Sequence, residues 1–226
     1  MVFTSKNWTD ERATLVSRWA NDVFPNGAQT VLRRRNTASF DPSTTKRQQE
    51  FAEGRSCAAA LLSHWNVSQE VGVADDRSPI WPDGFAGSIS HSENWVWSTV
   101  AQSNEIRSLG VDTEIVVSSK TQDILHDDIV TAQERSVIEA LGVSPQVSFT
   151  LAFSAKEAFY KCWYPITKSF LEFKQVTIES CTSNKMRIAP LTSLTNSSLN
   201  PAWLDVHFLA TDSDVFTATW SDPEVS

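Results

Sequence analysis

What the chain lacks narrows it first. No apolar run can cross a bilayer: the longest, such as Cys57–Leu62, fall far short of the roughly 20 residues a spanning helix needs. Met1–Ala20 alternates polar and apolar residues and has no secretory h-region. The three cysteines, Cys57, Cys162 and Cys181, are an odd number without paired spacing, which fits reduced thiols better than a disulfide framework. A soluble cytoplasmic protein is expected. There is no Gly-rich phosphate loop of the P-loop or dinucleotide type, and no Cys/His cluster spaced for zinc. Positive charge is also short: 19 Lys and Arg against 27 acids give a net charge of −8. That argues against broad binding to nucleic acid or anionic membrane, and leaves room for a local basic pocket.

What is present suffices for a core. The chain has 226 residues, 41% of them hydrophobic, with nine Trp. A chain of this length can bury roughly 70–75% of its unfolded surface. It suits one compact domain or two small lobes sharing an interface.

Val16, Trp19, Ala20 and Val23 have helical spacing, which predicts a short amphipathic helix ending near Phe24-Pro25-Asn26-Gly27. Arg33-Arg34-Arg35 reads as a solvated basic face or as the border of an anion site. Asp41-Pro42 is a good helix start, and the helix runs to about Trp65. Phe51, Ala58, Leu61, Leu62 and Trp65 mark its buried side. Arg47 and Arg55 lie roughly 80° apart around it, so both could border one cleft. Gly54 costs this helix about 1 kcal/mol relative to Ala, which suggests either a close approach to the backbone or a tolerated surface glycine. Residues 66–87 read as loop.

Gly87–Ser92 and the alternating Trp95–Ala101 follow, then Ser108–Val116. The last two read as a hairpin across Gln102–Arg107. Thr121–Val130 is an ambiguous polar helix. Thr131-Ala132-Gln133-Glu134 has capping-box spacing and opens a helix to about Leu141. Ser144-Pro145 opens the longest helix, to Cys162 or Trp163, with Pro165 as its stop. Residues 174–179, 185–189, 204–210 and 215–220 are strand candidates, and Thr192–Asn200 is a loop. The order helix, hairpin, helices, strands repeats loosely in the two halves and hints at two similar α+β lobes.

Gly110-Val111-Asp112-Thr113-Glu114 is the stretch with chemistry in it. On a strand, Asp112 and Glu114 share a face, roughly 6.5–7 Å apart along the backbone. They are either solvated acids at a strand end or oxygen ligands for a hard divalent cation. On the long helix Ser154, Glu157 and Lys161 share a face, with Lys156 beside them. Glu157–Lys161 could be an ordinary i, i+4 pair contributing ~0.2–0.5 kcal/mol. A third carboxylate near Asp112 and Glu114 would instead complete a Mg²⁺ site for phosphate chemistry. His91, between Ser90 and Ser92, could face a phosphate or be an ordinary histidine.

Five segments, in order, carry a resemblance: residues 46–58 (KRQQEFAEGRSCA), 79–84 (PIWPDG), 87–92 (GSISHS), 110–114 (GVDTE) and 153–161 (FSAKEAFYK). Together the chain resembles the 4′-phosphopantetheinyl transferases of the surfactin and enterobactin-synthetase type over about residues 45–175. The resemblance implies a two-lobed α+β pseudo-dimer, each lobe a small antiparallel sheet packed with helices. The lobes would be residues 1–115 and 116–226, with coenzyme A and Mg²⁺ between them. It implies transfer of phosphopantetheine from coenzyme A to a serine of an apo acyl, aryl or peptidyl carrier protein, releasing adenosine 3′,5′-bisphosphate. Asp112, Glu114 and Glu157 would bind the metal, and Glu157 would also be the base. Lys161 would steady the phosphates. His91 and Ser90 would contact coenzyme A, and Arg47 and Arg55 would hold its nucleotide end. Many relatives have a lysine in the loop before the Trp-Pro block; the nearest base here is Arg77. Glu134 sits where some relatives carry an auxiliary acid, but its capping role explains it equally well. A monomer is expected, binding no nucleic acid. The alternatives are a non-catalytic coenzyme A or carrier-binding module, and an unrelated Mg²⁺-dependent phosphohydrolase.

Overall fold

Aromatic and β-branched runs supply the strands that organise this chain. The structure, a computed structural model, describes residues 2–3, 10–25, 27–35, 44–191 and 202–223. In chain order its elements are β1 (Val2–Phe3), α1 (Asp10–Val23), β2 (Gln29–Arg34), α2 (Lys46–Leu62), β3 (Gly72–Val73), β4 (Pro79–Ile80), β5 (Phe85–His91), β6 (Trp95–Gln102), β7 (Ser108–Ile115), α3 (Ser119–Ile129), α4 (Ala132–Glu139), α5 (Pro145–Thr167), β8 (Val176–Cys181), β9 (Lys185–Pro190), β10 (Leu204–Thr211) and β11 (Asp214–Ser221). The fold is α+β: small antiparallel sheets packed with helices.

Two larger sheets form, each with a long helix against it. The first is β2-β6-β5, covered by α2. The second runs β7-β11-β10-β9-β8, with β1 beside β10, and is covered by α5. Strand β6 is buried on both faces, which the clean alternation of its sequence did not suggest. Val100 packs with Ala58 and Leu62 of α2, while Trp95 and Trp97 pack with Val16 and Ala20 of α1 and Phe216 of β11. Gly54 is buried where α2 crosses the sheet: a Cβ there would lie 2.6 Å from Ile89 Cγ2, and the Gly54 carbonyl accepts from Ser98 Oγ at 3.0 Å. The close approach expected at this glycine is therefore present.

The expected hairpin of β6 and β7 is not formed. β6 pairs with β2 and β5, whereas β7 pairs with β11, more than a hundred residues on. Polar Gln102–Arg107 carries the chain from one sheet to the other. By hydrogen bonding β7 sits with the C-terminal strands, on the far side of the expected 115/116 division. The sheets meet edge to edge at β5 and β7, joined by side chains. Ser88 Oγ accepts from the Val111 amide at 3.0 Å and Ser90 Oγ from the Thr113 amide at 3.3 Å.

Other expectations need correcting. Asp41-Pro42 lies outside the described residues; α2 is capped by Thr45, in a capping box with Gln48. Phe51 is 49% exposed rather than core, because it faces a cleft. The 66–87 segment holds a two-residue ladder, Gly72 opposite Ile80 and Val73 opposite Pro79. The expected α4 capping box is present: Thr131 Oγ1 accepts from the Glu134 amide, and Glu134 Oε2 from the Thr131 amide. α5 takes Pro165 into its last turn and ends at Thr167, with Lys168 left-handed at φ 53°. The Thr192–Asn200 loop lies outside the described residues. No described helix is long and apolar enough to cross a membrane.

Candidate active site

Asp112 lies where three elements converge. Its alternation partners Val111 and Thr113 are buried in the seam, so its side chain points toward α5. It is 2% exposed. Its Oδ1 accepts from Ser90 Oγ of β5 at 2.8 Å and from Lys161 Nζ of α5 at 2.7 Å. Its Oδ2 accepts from Ser154 Oγ, also of α5, at 2.7 Å. Lys161 Nζ donates further to Ser90 Oγ and to the Val111 carbonyl, each at 3.2 Å. A buried carboxylate must be paired and hydrogen-bonded, and this one is.

α5 comes this close because β7 has Gly110 beneath it. A Cβ on Gly110 would lie 1.9 Å from the Ala158 carbonyl oxygen. Ser108 Oγ ties the same helix down through the Cys162 carbonyl at 2.8 Å.

Lys161 is a cation shared by all three acids. Burial raises the pKa of Glu114, Asp112 and Glu157 raise it further, and Lys161 only partly offsets them, leaving it at about 8. Glu157 is also raised, by burial and by Asp112, against the pull of Lys161. Burial alone would lower Lys161, but Asp112, Glu157 and Glu114 outweigh it and hold its pKa above the ordinary lysine value. Among the described residues no three His, Cys, Asp or Glu side chains form a ready cage for a metal ion. Lys161 sits on Asp112 where a cation would. The donor chemistry nonetheless suits Mg²⁺: Asp112, Glu114 and Glu157 offer hard carboxylate oxygens only.

A cleft of about 1170 Å³ opens beside these acids. Lys46, Arg47 and Phe51 of α2 line it, with Arg77, His91 and Glu114. Arg47 is exposed there as expected, and Lys46 and Arg77 add two more cations. His91 Nδ1 lies 3.6 Å from Glu50 Oε2, with the imidazole 40% exposed. Burial lowers its pKa and Glu50 opposes the drop, while Lys161 and Arg35 add to it. A second cavity of about 490 Å³ is lined by Glu157, with Tyr160, Phe170, Leu171 and Phe173 among its apolar wall and Asp128, Lys156, Glu172 and Lys174 also on its lining. Glu114 borders the first cleft and Glu157 the second cavity.

The structure thus brings Ser90, Asp112 and Lys161 into direct contact, couples Glu114 and Glu157 to them electrostatically, and sets His91, Arg47 and Arg77 along the cleft. Arg55 is not on the cleft wall. Its Nη1 donates to the carbonyls of Val71 and Gly72 at 2.9 and 2.7 Å. Lys156 is buried away from the acids: Nζ lies 2.7 Å from Glu134 Oε1 and donates to the carbonyls of Ile129 and Phe173. Glu134, 0% exposed, also takes the Ile178 amide, so both residues brace the C-terminal half. Arg35 is no solvated base either. It is sealed between Glu50 and Glu53, at 3.0 and 2.5 Å, and donates to the Ser92 carbonyl. Sequence reasoning overlooked Glu50. The signal was available: acids three residues apart on a helix, in a chain with an arginine run just before it.

Two family comparisons match this chain. Residues 35–101 match the 4′-phosphopantetheinyl transferase N-terminal domain, and residues 108–220 match the 4′-phosphopantetheinyl transferase superfamily. Among curated proteins, enterobactin synthase component D of Salmonella typhi is 32% identical over 146 residues, 64% of this chain and 61% of that protein. The 4′-phosphopantetheinyl transferase PptT of Mycobacterium tuberculosis is 31% identical over 141 residues, 60% of each. The 4′-phosphopantetheinyl transferase Svp of Streptomyces mobaraensis is 31% identical over 174 residues, 74% of this chain and 70% of that protein. The chain therefore spans about three fifths of the length of the first two relatives.

Proposed function

Since the chain belongs to the 4′-phosphopantetheinyl transferase superfamily, we propose that it transfers 4′-phosphopantetheine from coenzyme A to a serine hydroxyl of an apo acyl, aryl or peptidyl carrier protein. The observation that carries this reading is the position of the acids. Glu114 lines a cleft that bears Lys46, Arg47, Arg77 and His91, Glu157 lines a cavity with Tyr160, Phe170, Leu171 and Phe173 in its wall, and Asp112 acts on both acids. The first suits the phosphates and nucleotide of coenzyme A. The aromatic and aliphatic wall of the second suits an uncharged, chain-like arm. The pyrophosphate then falls at the acids.

The serine oxygen forms a bond to the phosphorus that carries pantetheine. The bond from that phosphorus to the bridging oxygen breaks, and adenosine 3′,5′-bisphosphate leaves with that oxygen. Glu157 takes the serine proton, directly or through water. A carboxylate whose pKa is raised by burial is a better base than an exposed one. Lys161, His91 and the cleft bases stabilise charge on the departing phosphate oxygens. Asp112, Glu114 and Glu157 would hold Mg²⁺, which when bound supplies a positive charge beside the reacting phosphates. No protein nucleophile is needed. Ser90 orients Asp112 and Lys161 rather than reacting. In this reading the first lobe ends at Gln102 and β7 belongs to the C-terminal lobe. A cytoplasmic monomer completes the proposal.

The test is transfer itself. Purified protein with coenzyme A, Mg²⁺ and a panel of apo carrier proteins should add one phosphopantetheine mass to a carrier, and Glu157→Ala should abolish this while unfolding normally. A folded wild type that loads no carrier overturns the reading. Coenzyme A binding without Mg²⁺ dependence or turnover would then favour a binding module.

A further inference from the structure

The hairpin β3–β4 forms one wall of the charged cleft, through Val73 and Arg77. Two strands of two residues each do not hold themselves together in water. The bracing comes from elsewhere. At the base, Arg55 Nη1 holds the carbonyls of Val71 and Gly72, with the guanidinium carbon 4.9 Å from the centre of the Phe51 ring. At the tip, the hydroxyl of Tyr164, on the last turns of α5, donates to the Asp76 carboxylate. The Asp76 carboxylate also accepts the Ser78 amide at 2.9 Å, which sets the turn. These bonds from Tyr164 and Ser78 hold Asp76 at about 2, so it is an anion at any working pH. Between the two ties sits Arg77, left-handed at φ 69°. A non-glycine residue keeps such a conformation only where its surroundings impose it.

We propose that Arg55, Asp76 and Tyr164 are positioning residues that brace the β3–β4 hairpin at base and tip, and so hold the Arg77 guanidinium on the cleft wall against the phosphates of the bound nucleotide. This rests on the coenzyme A site proposed above. It also gives Arg55 a reason to be arginine: one guanidinium nitrogen spans two carbonyls of the chain entering the hairpin. The tip tie matters most for ligand capture, because it links the N-terminal half to α5, the helix that carries Glu157 and Lys161. A ligand that seats Arg77 therefore meets a wall already registered to the acids.

Tyr164→Phe tests this, since it removes the hydroxyl and keeps the ring that packs on Tyr160 at 5.5 Å between centroids. Two readouts are needed. In the ligand-free protein, hydrogen exchange is followed at the Ala74 and Arg77 amides, which bond to the carbonyls of Ser78 and Ala74. Coenzyme A binding is measured by calorimetry for wild type, Tyr164→Phe, Arg77→Ala and the double variant. Tyr164→Phe should speed exchange at both amides and weaken coenzyme A about three- to tenfold, the worth of one hydrogen bond. KM should rise in step, with kcat within about twofold of wild type. The double variant should bind no more weakly than Arg77→Ala alone. Unchanged exchange and affinity in Tyr164→Phe would overturn the proposal, as would losses that multiply in the double variant. A wild type that does not bind coenzyme A would sink the proposed function instead, and the exchange result would still decide whether Tyr164 braces the hairpin.

Discussion

Asp112 and Glu114, two positions apart on β7, carry different burdens. Asp112 is met by Ser90, Ser154 and Lys161, whereas among the described residues Glu114 has no comparable set of donors. Its carboxyl titrates near 4.5 when free and at about 8 in the folded protein. Between those values the folded state holds a proton that the unfolded chain has lost. The part of the metal-free protein's stability that Glu114 governs should therefore fall as pH rises from about 4.5 to 8, then level off. Glu114→Gln, which imitates the protonated form, should equal wild type near pH 4.5 and exceed it by about 1–3 kcal/mol near pH 7. Thermal unfolding of both proteins across that range, with chelator present, measures the difference; a gap independent of pH would contradict it. At this scale the sequence was legible where one residue type has few uses. An acid pair on a strand and an acid and lysine on one helix face pointed to one another. Arg35, Arg55 and Lys156 did not, because a basic side chain reads the same whether it meets a ligand, a carbonyl or a buried acid. Only its neighbours in space distinguish these, and they come from other elements.

α5 and β7 are the pair of elements that make the site. Their distance is set at Gly110, where helix backbone rests on strand backbone. Gly110→Ala must push the Ala158 carbonyl away, and main chain yields poorly. About 1–3 kcal/mol of stability should be lost. The displaced helix also carries Glu157 and Lys161 away from Asp112, so transfer should fall about a hundredfold, beyond what unfolding explains. Gly54→Ala is the instructive contrast. Its new Cβ meets only the Ile89 side chain, at 2.6 Å, and a side chain can turn aside. Denaturant melts and single-turnover assays of the two variants should separate them, with Gly110→Ala the worse in both. Comparable losses would mean that the helix-to-strand distance does not govern the site. Helix ends were readable because caps are local: Thr131, Glu134 and Ser144 act as their spacing indicates. The contact at Gly110 was not, although the residue stood in plain view beside the acids. The helix that fills its missing side chain begins 35 residues later.

In the whole molecule, the two sheets share a core. Val16 and Ala20 of α1, Trp95 and Trp97 of β6, Leu109 and Val111 of β7, and Phe216 and Ala218 of β11 pack in one cluster. The halves that the sequence suggests as lobes therefore cannot separate without exposing it. Unfolding should be a single cooperative transition, with tryptophan fluorescence and far-UV circular dichroism coinciding along a denaturant titration. Two resolved transitions would show that each sheet holds its own stability. The number and kind of strands were largely legible, since alternation and turn residues are local signals. Their partners were not: pairing β7 with β11 rather than β6 depends on which surfaces fit after a long loop closes. The Ser88 and Ser90 seam then does something beyond joining halves. Because β5 and β7 end their sheets against one another, neither shows a bare row of amides and carbonyls to a neighbouring molecule. The terminal strands that remain are also guarded. β2 bears exposed Arg33 and Arg34, and β8 has its Ile178 amide taken by Glu134, a bulge between Ile178 and Ser180, and an exposed Glu179. On the two larger sheets, these guards oppose the strand-by-strand growth through which open sheets become fibres.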